Sequence, residues 1–306
     1  MKALTQRSAW GRHAGVLLVL PTIVVVLGFY VLPAVFNIVL SVRDVSIFNM
    51  SQWGTGWAGL GNLRKLLDVE NIGHILWNTT VWLTAVTVVV RVVLGLGLAI
   101  LLDSALMRRR GVSVIARALV ILPWTVPPVA AVLVWQFLLQ PNYGAINQVL
   151  AGIGVLPPGG IPWLQQIGTV WIAIDAIVVW RELPLSVLLF LAGLQTINPE
   201  LYEAARVDGA GWWRQITSIT IPLLKPVTVV VVLLTIIWTY SNFVYVWLTT
   251  RGGPGNATDV LGTAIYRQGF AEYDIGLSAV TAVVGMLIMA CFAVVYFVRV
   301  FESTDD

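Results

Sequence analysis

Apolar runs recur along the whole chain, each near the length of about 20 residues that a helix needs to cross the hydrocarbon core of a bilayer. Inside lipid every backbone N–H and C=O must be satisfied within the segment, so such runs fold as helices. They lack the period-two alternation that the wall of a β-barrel requires, and a barrel is excluded. A composition of 58% hydrophobic and 11% charged residues argues against one large or two small soluble domains. The predicted class is an all-α polytopic membrane protein with six transmembrane helices, at approximately 14–40, 75–102, 118–139, 168–195, 223–248 and 275–298. A cytoplasmic segment 1–13 precedes this transmembrane domain, 14–300, and a cytoplasmic tail 301–306 follows it. The first run follows Lys2, Arg7 and Arg12 as a signal peptide would, but it is too long and lacks an Ala-x-Ala cleavage pattern, so it is a retained span.

Charge distribution predicts the orientation. Lys2, Arg7, Arg12, Arg108, Arg109, Arg110, Arg117, Arg206, Arg214, Lys225 and Arg299 fall on one side of the six-span map. Arg43, Arg64, Lys65, Arg251 and Arg267 fall on the other, and loop 140–166 holds no Lys or Arg. The positive-inside rule then puts both termini and the loop between the fourth and fifth spans in the cytoplasm. Arg91 and Arg181 remain within spans, where a charge is expensive unless it faces protein or water. For Arg91, snorkelling toward an interface and a buried functional pairing stay open as alternatives.

That central loop, 198–222, is neither apolar enough to cross a bilayer nor loose enough to be an idle connection. Asn198 can accept a hydrogen bond from a free backbone N–H, Pro199 suits the first helical position, and Glu200 and Glu203 put negative charge near the positive helix end. Asp208-Gly209 is a turn signal, and a second helical stretch starts at Trp212 and runs to Pro222 and Pro226. The prediction is helix, bend, helix at a membrane surface. An amphipathic interfacial anchor is the plain alternative for such a segment.

Glu203-Ala204-Ala205, Asp208-Gly209-Ala210 and Ile219-Thr220-Ile221-Pro222 resemble the EAA loop of binding-protein-dependent ABC importer permeases, especially the sugar branch that includes the maltose and glycerol-phosphate permeases. Ile221 stands where that family more often has Leu. Gly59-Leu60-Gly61-Asn62-Leu63, Trp180-Arg181-Glu182-Leu183-Pro184 and Gly252-Gly253-Pro254 resemble further segments of the same family. The resemblance implies the type I ABC importer permease fold, with loop 198–222 as a coupling helix. It implies a bacterial or archaeal cell membrane, a second homologous permease, two ATPase subunits and an extracytoplasmic binding protein that delivers a sugar or oligosaccharide. Glu203, Ala204, Ala205, Asp208, Gly209 and Ala210 would then engage the ATPase. A glycerol-phosphate or polyol importer is the nearest rival.

The residues themselves offer no catalytic site. No Walker A loop is present to cradle ATP phosphates, so ATP and Mg would sit on partner subunits and this chain would bind no cofactor. Two histidines near span ends and the single Cys291 give no triad, haem site, metal cluster or disulfide frame. The net charge of +3 is small, and the expected surroundings are lipid and protein partners, with no nucleic acid. On the fifth span Trp238, Asn242 and Tyr245 are spaced i, i+4, i+7, which in a continuous helix puts them on one face. An aromatic beside an amide suits a sugar, and the resemblance puts sugar contacts near Trp238, Thr239, Asn242 and Glu182. The plain alternative is an interfacial aromatic belt with Asn242 joining helices. An ion-coupled secondary transporter using Asp175 and Glu182 is a rival of another class, but it predicts internal repeats that are not evident here.

Overall fold

The structure is a computed structural model that describes residues 7–52, 54–104, 113–156 and 159–302, with side chains for all of these except 7–16, 113 and 299–302. Lys2, Trp53, Arg108, Arg109, Arg110 and the last residues of the tail lie outside the described residues. We number the helices α1 (Leu17–Ser41), α2 (Gly61–Leu67), α3 (Ile72–Asp103), α4 (Ser113–Thr125), α5 (Pro128–Leu138), α6 (Ala145–Gly152), α7 (Ile167–Leu194), α8 (Pro199–Val207), α9 (Trp212–Leu223), α10 (Lys225–Tyr240), α11 (Val244–Thr249), α12 (Leu261–Tyr266) and α13 (Ile275–Val298). Among the described residues there is no sheet, only isolated bridges that pair Arg43 with Trp57 and Ser46 with Asp274.

Four of these helices, α1, α3, α7 and α13, are long and apolar enough to cross a membrane unaided, and six crossings result if each of two bent pairs is one span. The bends correct two expectations. The third span is not one helix from 118 to 139: α4 and α5 meet at 99°. Pro127 and Pro128 have no N–H to donate and disfavour a helical residue before them, so the ladder stops at Thr125. The fifth span is not one helix from 223 to 248 either. The 67° bend at Leu224 lies where the predicted loop meets the span, but α10 then ends at Tyr240, before a break at 241–243 and the short α11. There the side-chain oxygen of Asn242 accepts from the Tyr245 backbone N–H at 3.4 Å, a local alternative to the helical ladder.

The chain divides into two compact units, Met1–Glu70 with Ile265–Leu287 and Asn71–Ala264 with Ile288–Asp306. In the first, Leu40, Val45 and Ala279 form a small core with Phe36 and Ile275. Buried Asn62, from the Gly-Leu-x-Asn segment, donates to the carbonyls of Ser41 and Arg43 at 3.0 and 2.8 Å. It thereby satisfies the carbonyl end of α1, which would otherwise lack partners.

In the second unit α7 is the axis. Its upper half packs Trp171, Ile174, Ile177 and Val178 with Val132, Tyr245, Val246 and Val260. Its lower half packs Val187, Phe190, Leu191 and Leu194 with Ala99, Leu102, Leu224 and Val231. Gly95 lets α3 approach closely, because a Cβ there would lie 2.9 Å from the Ser186 Cβ; small residues at such crossings are how helices pack in lipid. The Gly-Gly-Pro loop is stapled to the same unit. Asn78 donates to the carbonyls of Ala257 and Asp259 at 3.0 and 2.9 Å, and the Trp171 indole donates to Ala257 at 3.2 Å.

Candidate functional site

Two groups of residues project from α7. At its C-terminal end, α8 starts as the sequence predicts: the Asn198 side chain accepts from the Glu200 N–H at 3.1 Å with Pro199 at the first helical position. Its end has a specific closure. The Ala210 N–H donates to the Ala205 carbonyl at 2.8 Å, the Gly209 N–H donates to Arg206 at 3.1 Å, and Gly209 has φ +78°. This is a Schellman cap, which needs a left-handed residue directly after the C-cap, here Asp208. The spacing of Ala205, Gly209 and Ala210 therefore has a structural reason: it fixes the angle at which the chain leaves α8.

The bend is held from both sides. The hydroxyls of Tyr202 and Thr220 are 3.0 Å apart, and the Gln215 amide donates to the Ala210 carbonyl at 2.8 Å. Tyr202, Ile197 and Ile219 join the lower core around α7, so α8 and α9 are fixed to the span rather than hung from it. Glu203, Ala204, Asp208 and Gly209 are exposed, Ala205 and Ala210 are half-buried, and Val207, Trp212 and Trp213 extend the exposed surface.

Near the middle of α7 lies a polar network. Arg181 pairs with Glu182 at 2.7 Å and donates through Nε to the Val126 carbonyl at 3.2 Å. That carbonyl sits at the α4–α5 break, so Arg181 occupies an acceptor the broken ladder leaves open. The Tyr245 hydroxyl donates to Glu182 Oε1 at 2.8 Å. Arg91, 1% exposed, donates to Thr239 Oγ1 and to the Glu182 carbonyl, both at 3.2 Å. Of the two alternatives left open for Arg91, burial with partners is the one observed. Asp175 is buried two turns away on α7, outside the Arg181–Glu182 pair.

Beside this network is a cleft of about 500 Å³ lined by Trp124, Thr125, Arg181, Glu182 and Trp238. The structure thus brings Trp238 and Glu182 together but not on the predicted pattern. Trp238 is exposed on α10, Asn242 lies in the break, and Tyr245 is buried on α11. The i, i+4, i+7 face does not exist because the helix that would carry it ends at Tyr240. Trp124 and Thr125 were not foreseen from the sequence. The signal for them is Pro127-Pro128, which ends α4 and turns its last residues toward the cleft.

Residues 91–304 match the model of the family described as binding-protein-dependent transport system inner membrane component. The chain belongs to that family. This permease is 34% identical to the trehalose/maltose transport system permease protein MalF of Thermococcus litoralis, with 92% of each chain covered. It is 32% identical to the diacetylchitobiose uptake system permease protein DasB of Streptomyces coelicolor, over 97% of this chain and 89% of the relative. Its fold is similar to that of a chain from a bacterial ABC transporter involved in the import of the acidic polysaccharide alginate, with a TM-score of 0.80 at 22% identity and 96% of both chains covered. At that identity the likeness bears on the fold alone.

Proposed function

We propose that this permease is one membrane half of an ATP-driven importer of a neutral sugar or oligosaccharide. In this reading α8 and α9 are the lever that partner ATPase subunits grip, and the chain itself hydrolyses nothing. A second permease would complete the pathway, and an extracytoplasmic binding protein would deliver the solute. The observation that carries it is the continuity of lever and cleft: α7 supplies Arg181 and Glu182 to the cleft near its middle and leads at its end through 195–198 into α8 and its capped bend. Two tryptophans offer apolar faces to a pyranose while Glu182 and Thr125 supply hydrogen-bonding groups. The cleft wall carries one cation and one anion already paired, which favours a neutral sugar over a glycerol phosphate.

The test is reconstitution of the complete importer in proteoliposomes, with uptake of trehalose, maltose and diacetylchitobiose measured. ATP-dependent uptake of one of them is expected. Uptake that follows an ion gradient without ATP would instead make Asp175 and Glu182 coupling groups of a secondary transporter. For orientation, Trp212→Cys in a Cys291→Ser background should react with an impermeant thiol reagent only from the cytoplasmic side. Reaction only from outside would leave no ATPase able to reach the lever.

A further inference from the structure

At the opposite end of α7 from the lever lies a second cavity, of about 490 Å³, lined by Gln136, Gln140, Trp163, Gln165 and Thr249 among others. Its size is that of a small-molecule site, roughly 300–1,000 Å³. The 28 residues of α7 separate it from the lever by roughly 42 Å at 1.5 Å per residue. The cavity and the lever therefore lie on opposite faces of a bilayer that α7 crosses.

The walls are pinned. Asn147, 2% exposed, donates to the carbonyls of Gln140 at 3.1 Å and Ile161 at 3.0 Å. Its oxygen accepts from the Ile161 N–H at 3.1 Å and the Trp163 indole at 2.8 Å. One buried amide thus fixes both loops and the attitude of the Trp163 ring. The third wall is tied by Gln136, whose amide donates to the Leu248 carbonyl at 2.7 Å. By contrast the carboxamides of Gln140 and Gln165 make no hydrogen bond within the described chain. The pinned walls and the oriented indole are preorganised, the two amides are free to turn toward a ligand, and among the described residues no titratable side chain lines the cavity.

We infer that this cavity is an entry site for one neutral pyranose unit, held by the Trp163 face and the Gln140 and Gln165 amides before it moves to the deep cleft. An amide both donates to and accepts from vicinal hydroxyls, and an uncharged wall rejects no neutral sugar. The cavity and the Glu182 network are close along the chain. Thr249 of the cavity and Tyr245 of the deep network are one turn apart on α11, and the Thr249 hydroxyl donates to the Tyr245 carbonyl at 2.6 Å.

The inference rests on the sugar-importer reading and is tested so that the two can fail separately. The assembled importer in lipid nanodiscs, without binding protein or ATP, is titrated with whichever of maltose, trehalose and diacetylchitobiose the wild type takes up. Trp238→Ala disables the deep cleft, and sugar binding that persists in this background is expected to weaken at least about tenfold on adding Gln140→Leu and Gln165→Leu, the loss of two hydrogen bonds. Neither amide serves the fold, so the thermal melt should match the parent. Equal binding with and without the two leucines, or no binding in the Trp238→Ala background, overturns the inference while wild-type uptake preserves the importer reading. Binding protein is then added to the same nanodiscs, and lost docking in the two-leucine variant with sugar binding kept makes the cavity a protein contact and also overturns the inference. A wild-type complex that takes up no sugar overturns both.

Discussion

Gly209 allows the lever to be tested as a conformational device. A Cβ added there meets nothing within 4 Å, and φ is +78°, so within this chain a substitution is opposed by backbone conformation alone. A non-glycine residue in the left-handed region costs about 1–2 kcal/mol, with Asn penalised least and β-branched residues most. At 1.4 kcal/mol per decade, Gly209→Ala should depopulate the capped bend by about 5- to 30-fold, Asn by less and Val by more. The assay is sugar taken up per ATP hydrolysed in proteoliposomes bearing the complete importer, with binding protein saturating. The expected order is Gly, Asn, Ala, Val, with hydrolysis continuing as uptake falls. Wild-type coupling in Gly209→Val would refute the lever. Asn falling below Ala would refute the conformational reasoning, since it would mean that side-chain size against a partner, not φ, sets the cost.

Arg181→Met should lower the stability of the solubilised protein by about 3 kcal/mol, because it leaves Glu182 and the Val126 carbonyl without their cation in a mostly buried site. Glu182→Gln should lose a similar amount and the double variant less than both together, measured as a double-mutant cycle in denaturant; strict additivity would mean that the 2.7 Å pair carries no coupling. Tyr202→Phe removes the hydroxyl contact to Thr220 and should weaken the α8–α9 bend by about 1 kcal/mol. Faster hydrogen exchange confined to residues 199–223 is the expected readout, and unchanged exchange would show that the contact does not hold the bend.

Class, apolar runs and the local chemistry of the α8–α9 bend were legible residue by residue, although the third and fifth runs each break where one helix was expected. Apolar length dictates helices in lipid, and Asn198, Pro199 and Gly209 act through their own backbone, so each could be read without knowing a neighbour. The sequence also contained the α4–α5 break in Pro127-Pro128, although not its 99° angle. Meetings between residues far apart in the chain came only with packing. Arg91 reaches Thr239 and the Glu182 carbonyl, Arg181 caps the carbonyl at a break on another span, and Asn147 closes a cavity with walls from three segments. Charge and size along the chain say that Arg91 must find partners in lipid, but which ones depends on how α3, α7 and α10 cross. That geometry is set by close contacts such as Gly95 on Ser186, where the absence of one side chain lets two helices meet.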